Sequence, residues 1–352
     1  MTVTTLGIDV AKNIFQLHGV DAHGKVAVQK RVTRAKLRDT IAQLPPCVIG
    51  MEACGSAQYG AREFQQLGHT VKLMSPQFVK PYVKGNKNDS RDAEAICEAV
   101  SRPHMRFVPL KTVESQDIQA IHRRRSRLIK ERTALVNQIR GLLAERGIVI
   151  AQGITRLRKQ LPVLVEDETN ELTPLSREVR RELYEELVAV DERVTRADAL
   201  VRRIFTQSAA CQKLAQVEGI GPVVATALVA AVGNAKEFAT GRHLAAWLGL
   251  VPRQCSSGGK ERLLGISKRG DRYLRTLLIH GARATVYWAR RKTDARSRWI
   301  LSVEQRRGKN IAAVAIANKN APLPGHCEAV TLSTAKRPKR KLSSAGEEGP
   351  RL

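Results

Sequence analysis

TLGIDVAK, at residues 5–12, is a short apolar run that carries the carboxylate Asp9 near its end. The pattern from Val3 to Val10 predicts a β-strand. Two further strands are predicted close behind it, at Ile14 to Val20 and at Lys25 to Val32. Because connections this short join antiparallel strands, the three strands should form a meander.

Helices and strands then alternate along the chain. The predicted elements are a helix at 35–44, a strand at 47–51, a helix at 57–67 and a strand at 70–74. A right-handed crossover can place the strand at 47–51 beside the first strand. Three strands, helix, strand, helix, strand and helix is the order of ribonuclease-H-like nucleases. We therefore assign residues 1–110 to an α/β domain of that class.

Four carboxylates in this domain are candidates for a metal site. Asp9 and Glu52 each follow an apolar strand, which would bring both to one rim of the sheet. Asp89 and Asp92, at positions i and i+3, would share one face of a helix start. Such an oxygen donor set suits Mg²⁺ or Mn²⁺, and two ions can assist phosphoryl transfer. The alternative is that Asp89 and Asp92 only complement the helix N-terminus.

The charge of the chain points to a polyanionic partner. Lys and Arg number 60 against 33 Asp and Glu, which gives a net charge of +27. Aromatic residues make up 4%, so base stacking is not expected to be the main binding mode. A duplex or structured nucleic acid held through its phosphates fits better. The 43% hydrophobic content separates the chain from a merely charged, disordered protein.

The cysteine pattern and the lengths of the apolar runs indicate the cellular location of the protein. Six cysteines occur without a CxxC pair, which argues against a zinc ribbon or a disulfide framework. No signal peptide precedes Lys12, and no apolar run approaches about 18 residues. The nearest candidate, Val223 to Val232, is too short. We expect a soluble cytoplasmic protein without a membrane partner.

Residues 111–208 are predicted to form long helices with a coiled-coil pattern. One apolar seam steps by four and three residues from Leu183 to Ile204. An earlier seam repeats every seven residues, at Ile121, Leu128, Leu135 and Leu142. Such helices can form an antiparallel hairpin in one chain or pair with another chain. The opposite face of the earlier helix carries candidate nucleic-acid contacts at Arg123, Arg124 and Arg127.

Residues 209–321 are predicted to be mostly helical, with glycine-containing turns. The segment from Gly219 to Pro222 precedes the apolar helix 223–232 and includes Gly221. Backbone N–H groups of such a hairpin and of the following helix can face a phosphate. We interpret it as a helix-hairpin-helix contact for nucleic acid. The alternative is a purely structural joint between helices.

Two further segments of this region are candidates. The loop 252–259 holds Arg253 and two serines, Ser256 and Ser257, that can present a hydroxyl to a phosphate. Such loops are more often linkers, and without a histidine-based triad the serine needs activation by metal or by Arg or Lys. The second segment is basic and can grip a nucleic-acid backbone, unless it is ordinary solvated charge. Its candidate contacts are Lys268, Arg269, Arg272 and Arg275.

Taken together, these motifs resemble the Piv-type DEDD transposases and invertases, the insertion-sequence "one-ten" family. The resemblance extends from Gly7 to Ala321, and the order and spacing of its motifs are specific. They are GIDVAK (7–12), EACG (52–55), NDSRDA (88–93), GIGP (219–222), GLVPR (249–253), SG (257–258) and ISKRG (266–270) with LR (274–275). The segment 310–321 resembles one branch of that family.

The resemblance implies a RuvC-like amino-terminal domain whose Asp9, Glu52, Asp89 and Asp92 bind metal. It also implies a coiled coil that assembles protomers into a dimer or tetramer, and a carboxy-terminal transposase domain with a nucleophilic serine. By motif that serine is Ser257, with Ser256 adjacent to it.

The implied activity is excision and insertion of mobile DNA at the bacterial nucleoid. The resemblance further implies that a structured guide RNA directs the enzyme, that serine attack links it covalently to DNA, and that two protomers can share one active site.

The chain departs from this family after Ala321, where the family continues with an apolar helix. Residues 322–352 instead form a basic tail that is predicted to be disordered. Two rival functions remain at this point. One is a RuvC-like, structure-selective DNA nuclease that uses water and forms no covalent intermediate. The other is a non-catalytic, decayed DNA-binding remnant.

Overall fold

The computed structural model describes residues 2–84, 89–233, 238 and 240–321, and of Asp89 only the backbone. The basic tail predicted at 322–352 lies outside the described residues.

A six-stranded mixed sheet forms the amino-terminal part, with strand order β3-β2-β1-β4-β5-β6. The predicted meander is confirmed, because β2 pairs antiparallel with both β1 and β3. The predicted crossover is confirmed as well, since β4 lies parallel to β1. The strands are β1 (Thr5–Asp9), β2 (Ile14–Val20), β3 (Val26–Thr33), β4 (Val48–Glu52), β5 (Thr70–Met74) and β6 (Phe107–Val108).

Helices cover both faces of this sheet. On one face α1 and α2 pack over a core that includes the fully buried Leu6, Ile8 and Phe64. On the other face lies α4, which contacts β1, β2 and β4. The predicted order of elements holds, with α3 and the edge strand β6 added. The helices are α1 (Arg34–Ala42), α2 (Ala57–Gln66), α3 (Pro76–Val79) and α4 (Asp89–Val100).

The middle region is a bundle of three helices: α5 (Val113–Ala144), α6 (Ile154–Glu166) and α7 (Pro174–Gln207). Threonine side chains cap the two long helices, because Thr112 accepts from Ser115 N and Thr173 accepts from Ser176 N. The sequence pattern did not predict a secondary-structure element for the segment that forms α6. Its apolar side chains at 157, 161 and 165 are buried against the other two helices.

The two long helices run antiparallel within one chain. Ion pairs of Arg125 with Asp198 and of Arg132 with Asp191 fix that direction. Most of the apolar seam on α7 is buried within the chain. Of the two predicted pairings, the structure therefore contains the antiparallel hairpin. The earlier seam is less regular, since Leu142 is exposed.

The carboxy-terminal region has a helical core built around α9, whose residues 224–232 are all buried. Where the sequence indicated a serine-rich loop, the structure contains a two-stranded hairpin, β7–β8. None of the described helices is long and apolar enough to cross a membrane. The elements are α8 (Ala209–Leu214), α9 (Pro222–Val232), α10 (Gly241–Trp247), β7 (Pro252–Gln254), β8 (Leu263–Ile266), α11 (Arg272–Ala289), α12 (Ala295–Arg307) and α13 (Lys309–Asn320).

Candidate active site

Asp9 and Glu52 end two neighbouring parallel strands. Ile8 of β1 is in register with Met51 of β4, so the carboxylates occupy the next matching positions. The structure therefore brings these two residues to one rim of the sheet, as the sequence predicted.

Two glycines let α4 rest directly on the carboxylate face of the sheet. A Cβ placed on Gly7 would lie 2.2 Å from the carbonyl oxygen of Ala93, and one on Gly50 would lie 2.8 Å from the Cβ of Val100. Because side chains alternate along a strand, residues 7 and 9 of β1 share a face, as do residues 50 and 52 of β4. The carboxylates thus point to the side on which α4 lies.

Asp92 joins these two carboxylates from α4. It directly precedes Ala93, the residue that sits on Gly7. Burial raises the pKa of the Glu52 carboxyl, and the negative charges of Asp9 and Asp92 raise it further. Three carboxylates therefore repel one another across β1, β4 and α4. The side chain of Asp89, the fourth predicted ligand, lies outside the described residues.

This donor set fits a divalent cation by its chemistry. It consists of hard carboxylate oxygens, which Mg²⁺ and Mn²⁺ prefer. Among the side chains that the structure describes, no three Asp, Glu, His or Cys residues are arranged so that they could hold a metal ion together.

Ser257 lies at the tip of the β7–β8 hairpin. Gly258 and Gly259 have φ angles of +56° and +75°, and the N–H of Lys260 donates to the carbonyl of Ser257 at 3.1 Å. These values match a type I′ turn, in which both central residues need positive φ. All of residues 252–262 are exposed, so no other described part of the chain covers the tip.

The two adjacent serines differ in their contacts. The Ser256 hydroxyl accepts a hydrogen bond from the backbone N–H of Arg262 at 3.3 Å. The Ser257 hydroxyl has no hydrogen-bond partner among the described residues. Ser257 is therefore the better presented of the two candidates.

Comparisons with known proteins find relatives that match most of the chain. A family model described as "Transposase IS116/IS110/IS902 family" matches residues 211–298, and a DEDD transposase model of the IS110 group matches residues 6–148. A probable family 20 transposase of Pseudomonas aeruginosa is 53% identical, covering 91% of this chain and 95% of the relative. The transposase for insertion sequence element IS1111A of Coxiella burnetii is 48% identical, covering 91% of this chain and 88% of the relative.

The chain belongs to the IS116/IS110/IS902 family of transposases. It is accordingly a DNA-processing enzyme of an insertion sequence, and its DEDD domain indicates a divalent metal requirement. The DEDD model includes all four predicted carboxylates, and the IS116/IS110/IS902 model includes Ser257.

The Gly219 turn of the transposase packs inside the protein. A Cβ on Gly281 of α11 would lie 1.8 Å from the carbonyl oxygen of Gly219, so the two backbones touch. The neighbouring carbonyl of Glu218 accepts from the side-chain amide of Asn320 at 2.8 Å. Gly219 itself has φ +88°, and a Cβ on it would lie 2.9 Å from the carbonyl oxygen of Gly281, which explains this glycine without a phosphate. Gly221 at the start of α9, in contrast, is exposed.

Most of the basic residues singled out in the sequence are exposed. Arg127 forms an ion pair with Glu131 at 2.8 Å, and Arg275 departs from the expectation altogether. Arg275 is buried and donates to the carbonyl of Leu248 at 3.1 Å, which makes it a brace rather than a surface contact. The exposed residues of the set are Arg123, Arg124, Arg127, Arg253, Lys268, Arg269 and Arg272.

Two features of the site were missed from the sequence. The close contacts of α4 with Gly7 and Gly50 were not predicted, although each glycine lies two residues before a strand-ending carboxylate. The thiol of Cys54 was not considered either. Burial and the charges of Glu52 and Asp9 raise its pKa, which places it beside the carboxylates.

Proposed function

We propose that this transposase is a metal-dependent, RNA-guided recombinase in which Ser257 attacks DNA while Asp9, Glu52, Asp89 and Asp92 hold Mg²⁺ or Mn²⁺. The observation that carries this proposal is the convergence of Asp9, Glu52 and Asp92 on one face of the sheet. The order β3-β2-β1-β4-β5 supports a RuvC-like domain at residues 1–110.

The covalent step is a transesterification at a DNA phosphate. The Ser257 oxygen bonds to phosphorus, the bond from phosphorus to the departing strand end breaks, and the serine proton passes to the leaving oxygen. A bound divalent ion supplies Lewis-acid stabilisation of the charge on the transferred phosphate. The hairpin's residues deliver the hydroxyl, and the four carboxylates provide the negative site that holds the ion.

Assembly completes the site in this proposal. No other described part of the chain covers the hairpin, so its tip is free to enter the carboxylate site of a second protomer. The residues 111–208 and 209–321 then serve as assembly region and transposase domain of a dimer or tetramer in the bacterial cytoplasm. The turn at Gly219 and Gly221 acts as a helix-hairpin-helix contact, with phosphates approaching the exposed Gly221.

The charge of the chain supports two nucleic-acid partners. A net charge of +27 exceeds what one short DNA contact requires, and a guide RNA is a second polyanion to hold. Exposed cations of α5, of the segment before α11 and of the first residue of α11 are the proposed phosphate contacts, including Arg123, Arg253 and Arg272.

The test uses the purified full chain with its element's DNA ends and flanking non-coding RNA. With Mg²⁺ the wild type should copurify with that RNA and form a denaturant-resistant link to DNA. Ser257→Ala should lose the link and strand exchange, while Ser256→Ala should keep both. Cutting that persists in Ser257→Ala would favour the water-using nuclease. Strand transfer that survives Asp9→Asn would refute the metal site.

A further inference from the structure

Two aromatic side chains stand side by side at the end of α11. Tyr287 and Trp288 are each 51% exposed, although aromatic residues make up only 4% of the chain. Their rings meet edge to face at 5.6 Å. Tryptophan is largely buried on average, and adjacent exposed apolar rings mark an interaction surface more often than a single exposed side chain does.

An arginine completes this aromatic pair. The Arg291 guanidinium lies 4.8 Å from the centre of the Trp288 ring and 5.5 Å from that of Tyr287. Nearby carboxylates are engaged elsewhere, since Glu304 pairs with Arg290 and Glu218 pairs with Lys292. Arg291 forms no ion pair with any carboxylate in the described part of the chain, so its charge is available to a ligand.

The aromatic pair continues a polar stripe along α11. The inner face of this helix is buried, and the outer face contains no acidic residue because the whole helix has none. The stripe begins at Arg272, already proposed as a phosphate contact, and extends about 24 Å along the helix axis to Trp288. Arg291 follows in the turn after the helix. The exposed members of the stripe are Arg272, Thr276, His280, Arg283, Tyr287, Trp288 and Arg291.

We infer that the outer face of α11 binds an unpaired nucleic-acid strand, with Tyr287 and Trp288 as the surface on which its bases stack. The cations of the stripe hold the phosphates, and Arg291 pairs with a phosphate next to the stacked base. Bases stack on aromatic rings regardless of sequence, because every base has a π face. A duplex hides its base faces, so the platform selects unpaired strands.

This inference goes beyond the proposed strand exchange and does not depend on it. The composition predicted binding through phosphates with little stacking. The structure concentrates two of the few aromatic side chains at one exposed point, so the inferred stacking is local and adds to binding through phosphates.

The experiment titrates RNA-free transposase with a ten-residue single-stranded DNA, the matching RNA and a blunt duplex, and follows tryptophan fluorescence and anisotropy. Trp288→Leu and Tyr287→Leu should each weaken binding of the single strands about tenfold, the equivalent of one lost stacking contact. Duplex binding should stay within about twofold. The DNA and RNA arms show which strand the platform prefers.

Three variants serve as controls. Trp288→Phe should retain single-strand affinity and lose only the fluorescence quenching, which shows that the strand requires an aromatic ring at this position. Leu175→Ala removes another exposed apolar side chain, on α7, and should change nothing. Ser257→Ala should bind the single strands with wild-type affinity. Failure of the stacking inference and failure of the proposed catalytic role can therefore be distinguished.

The inference is overturned by any of three outcomes. The first is that Trp288→Leu binds single strands as tightly as the wild type does. The second is that Trp288→Leu loses duplex binding and single-strand binding to the same extent. The third is that it changes the mass of the assembly in sedimentation while strand binding is unaffected, which would make the platform a protein interface.

Discussion

Gly7 and Ala93 meet backbone to backbone: a Cβ on Gly7 would lie 2.2 Å from the carbonyl oxygen of Ala93. That distance is far below any van der Waals contact. The height of α4 above the sheet is therefore set by the missing side chain, and with it the distance of Asp92 from Asp9.

Gly7→Ala should lift α4 from the sheet. We expect a loss of about 1–3 kcal/mol in unfolding free energy from overpacking, and a larger loss of DNA cleavage because the carboxylates separate. Urea unfolding and a cleavage assay with Mg²⁺ measure the two effects. Gly141→Ala in α5 is the control, since a Cβ there has no neighbour within 4 Å. Wild-type stability and cleavage in Gly7→Ala would contradict the role given to this contact.

Glu52→Gln should stabilise the metal-free protein and inactivate the enzyme. Burial and the charges of Asp9 and Asp92 raise the pKa of Glu52 above 4.5. A carboxyl whose pKa is raised by folding disfavours the folded state once it ionises, so stability falls as the pH rises through that raised pKa. Glutamine removes this loss, while cleavage should drop on the order of 10²-fold with the metal site impaired.

Denaturation in EDTA between pH 4 and pH 8 tests this slope. Glu186→Gln, which removes an exposed carboxylate of α7, should leave the slope unchanged. A Glu52→Gln protein with the wild-type pH profile would show that the three carboxylates do not interact.

Gly258→Val should impair the delivery of Ser257. The residue has φ +56°, a conformation that is strained for a β-branched side chain. Gly258→Asn should be tolerated, because asparagine followed by glycine is favoured in type I′ turns. We expect the valine variant alone to lose covalent attachment to DNA. Both should melt like the wild type, since the hairpin is exposed, and equal attachment by both would argue against a defined turn.

His122 should make the transposase sensitive to acid. It is buried between Tyr273 and Thr226, with hydrogen bonds of 3.0 Å to each, and burial holds its pKa at about 4 instead of 6.5. Stability from the neutral ring is therefore complete above pH 6.5 and is lost as the pH falls from there toward 4. Linkage gives a loss of about 3 kcal/mol over this interval.

Urea unfolding of the wild type and of His122→Gln at pH 7.5 and pH 4.5 measures this contribution. The wild type should lose more stability than the variant between the two conditions. His23→Gln, at an exposed position in the turn after β2, controls for general titration. Equal losses in wild type and His122→Gln would refute the assignment.

Leu187→Ala should destabilise the three-helix bundle without involving a second chain. The side chain is fully buried in the seam between α5 and α7, so we expect a loss of about 2–5 kcal/mol. The difference from the wild type should not depend on protein concentration, because both helices belong to one chain. Leu142→Ala, at an exposed position of α5, is the matched control. A shift that grows on dilution would instead place the seam between protomers.

Local patterns made much of the fold predictable. Alternating apolar residues predicted β1 to β5, and the strand ends predicted that Asp9 and Glu52 share a rim. The heptad steps from Leu183 predicted the buried face of α7, although they could not decide between a partner helix of the same chain and one of another chain.

What escaped the sequence depends on contacts between distant segments. The sequence predicts a loop around Gly258 because the two strands are only three and four residues long, too short for apolar alternation to be detected. Arg275 resembles a surface cation in sequence, and only the nearby carbonyl of Leu248 shows that it is a brace. The seat of α4 on Gly7 joins residues 86 positions apart, beyond any local pattern.

The absence of a side chain at Gly7 also affects how copies of such an element lose activity by mutation in a genome. Every missense change at a glycine codon adds at least one carbon atom, so no amino-acid replacement at this position leaves the seat of α4 intact. A copy can therefore lose cleavage through one nucleotide change while all four acidic codons survive. Counting copies by their acidic residues will overestimate how many still move.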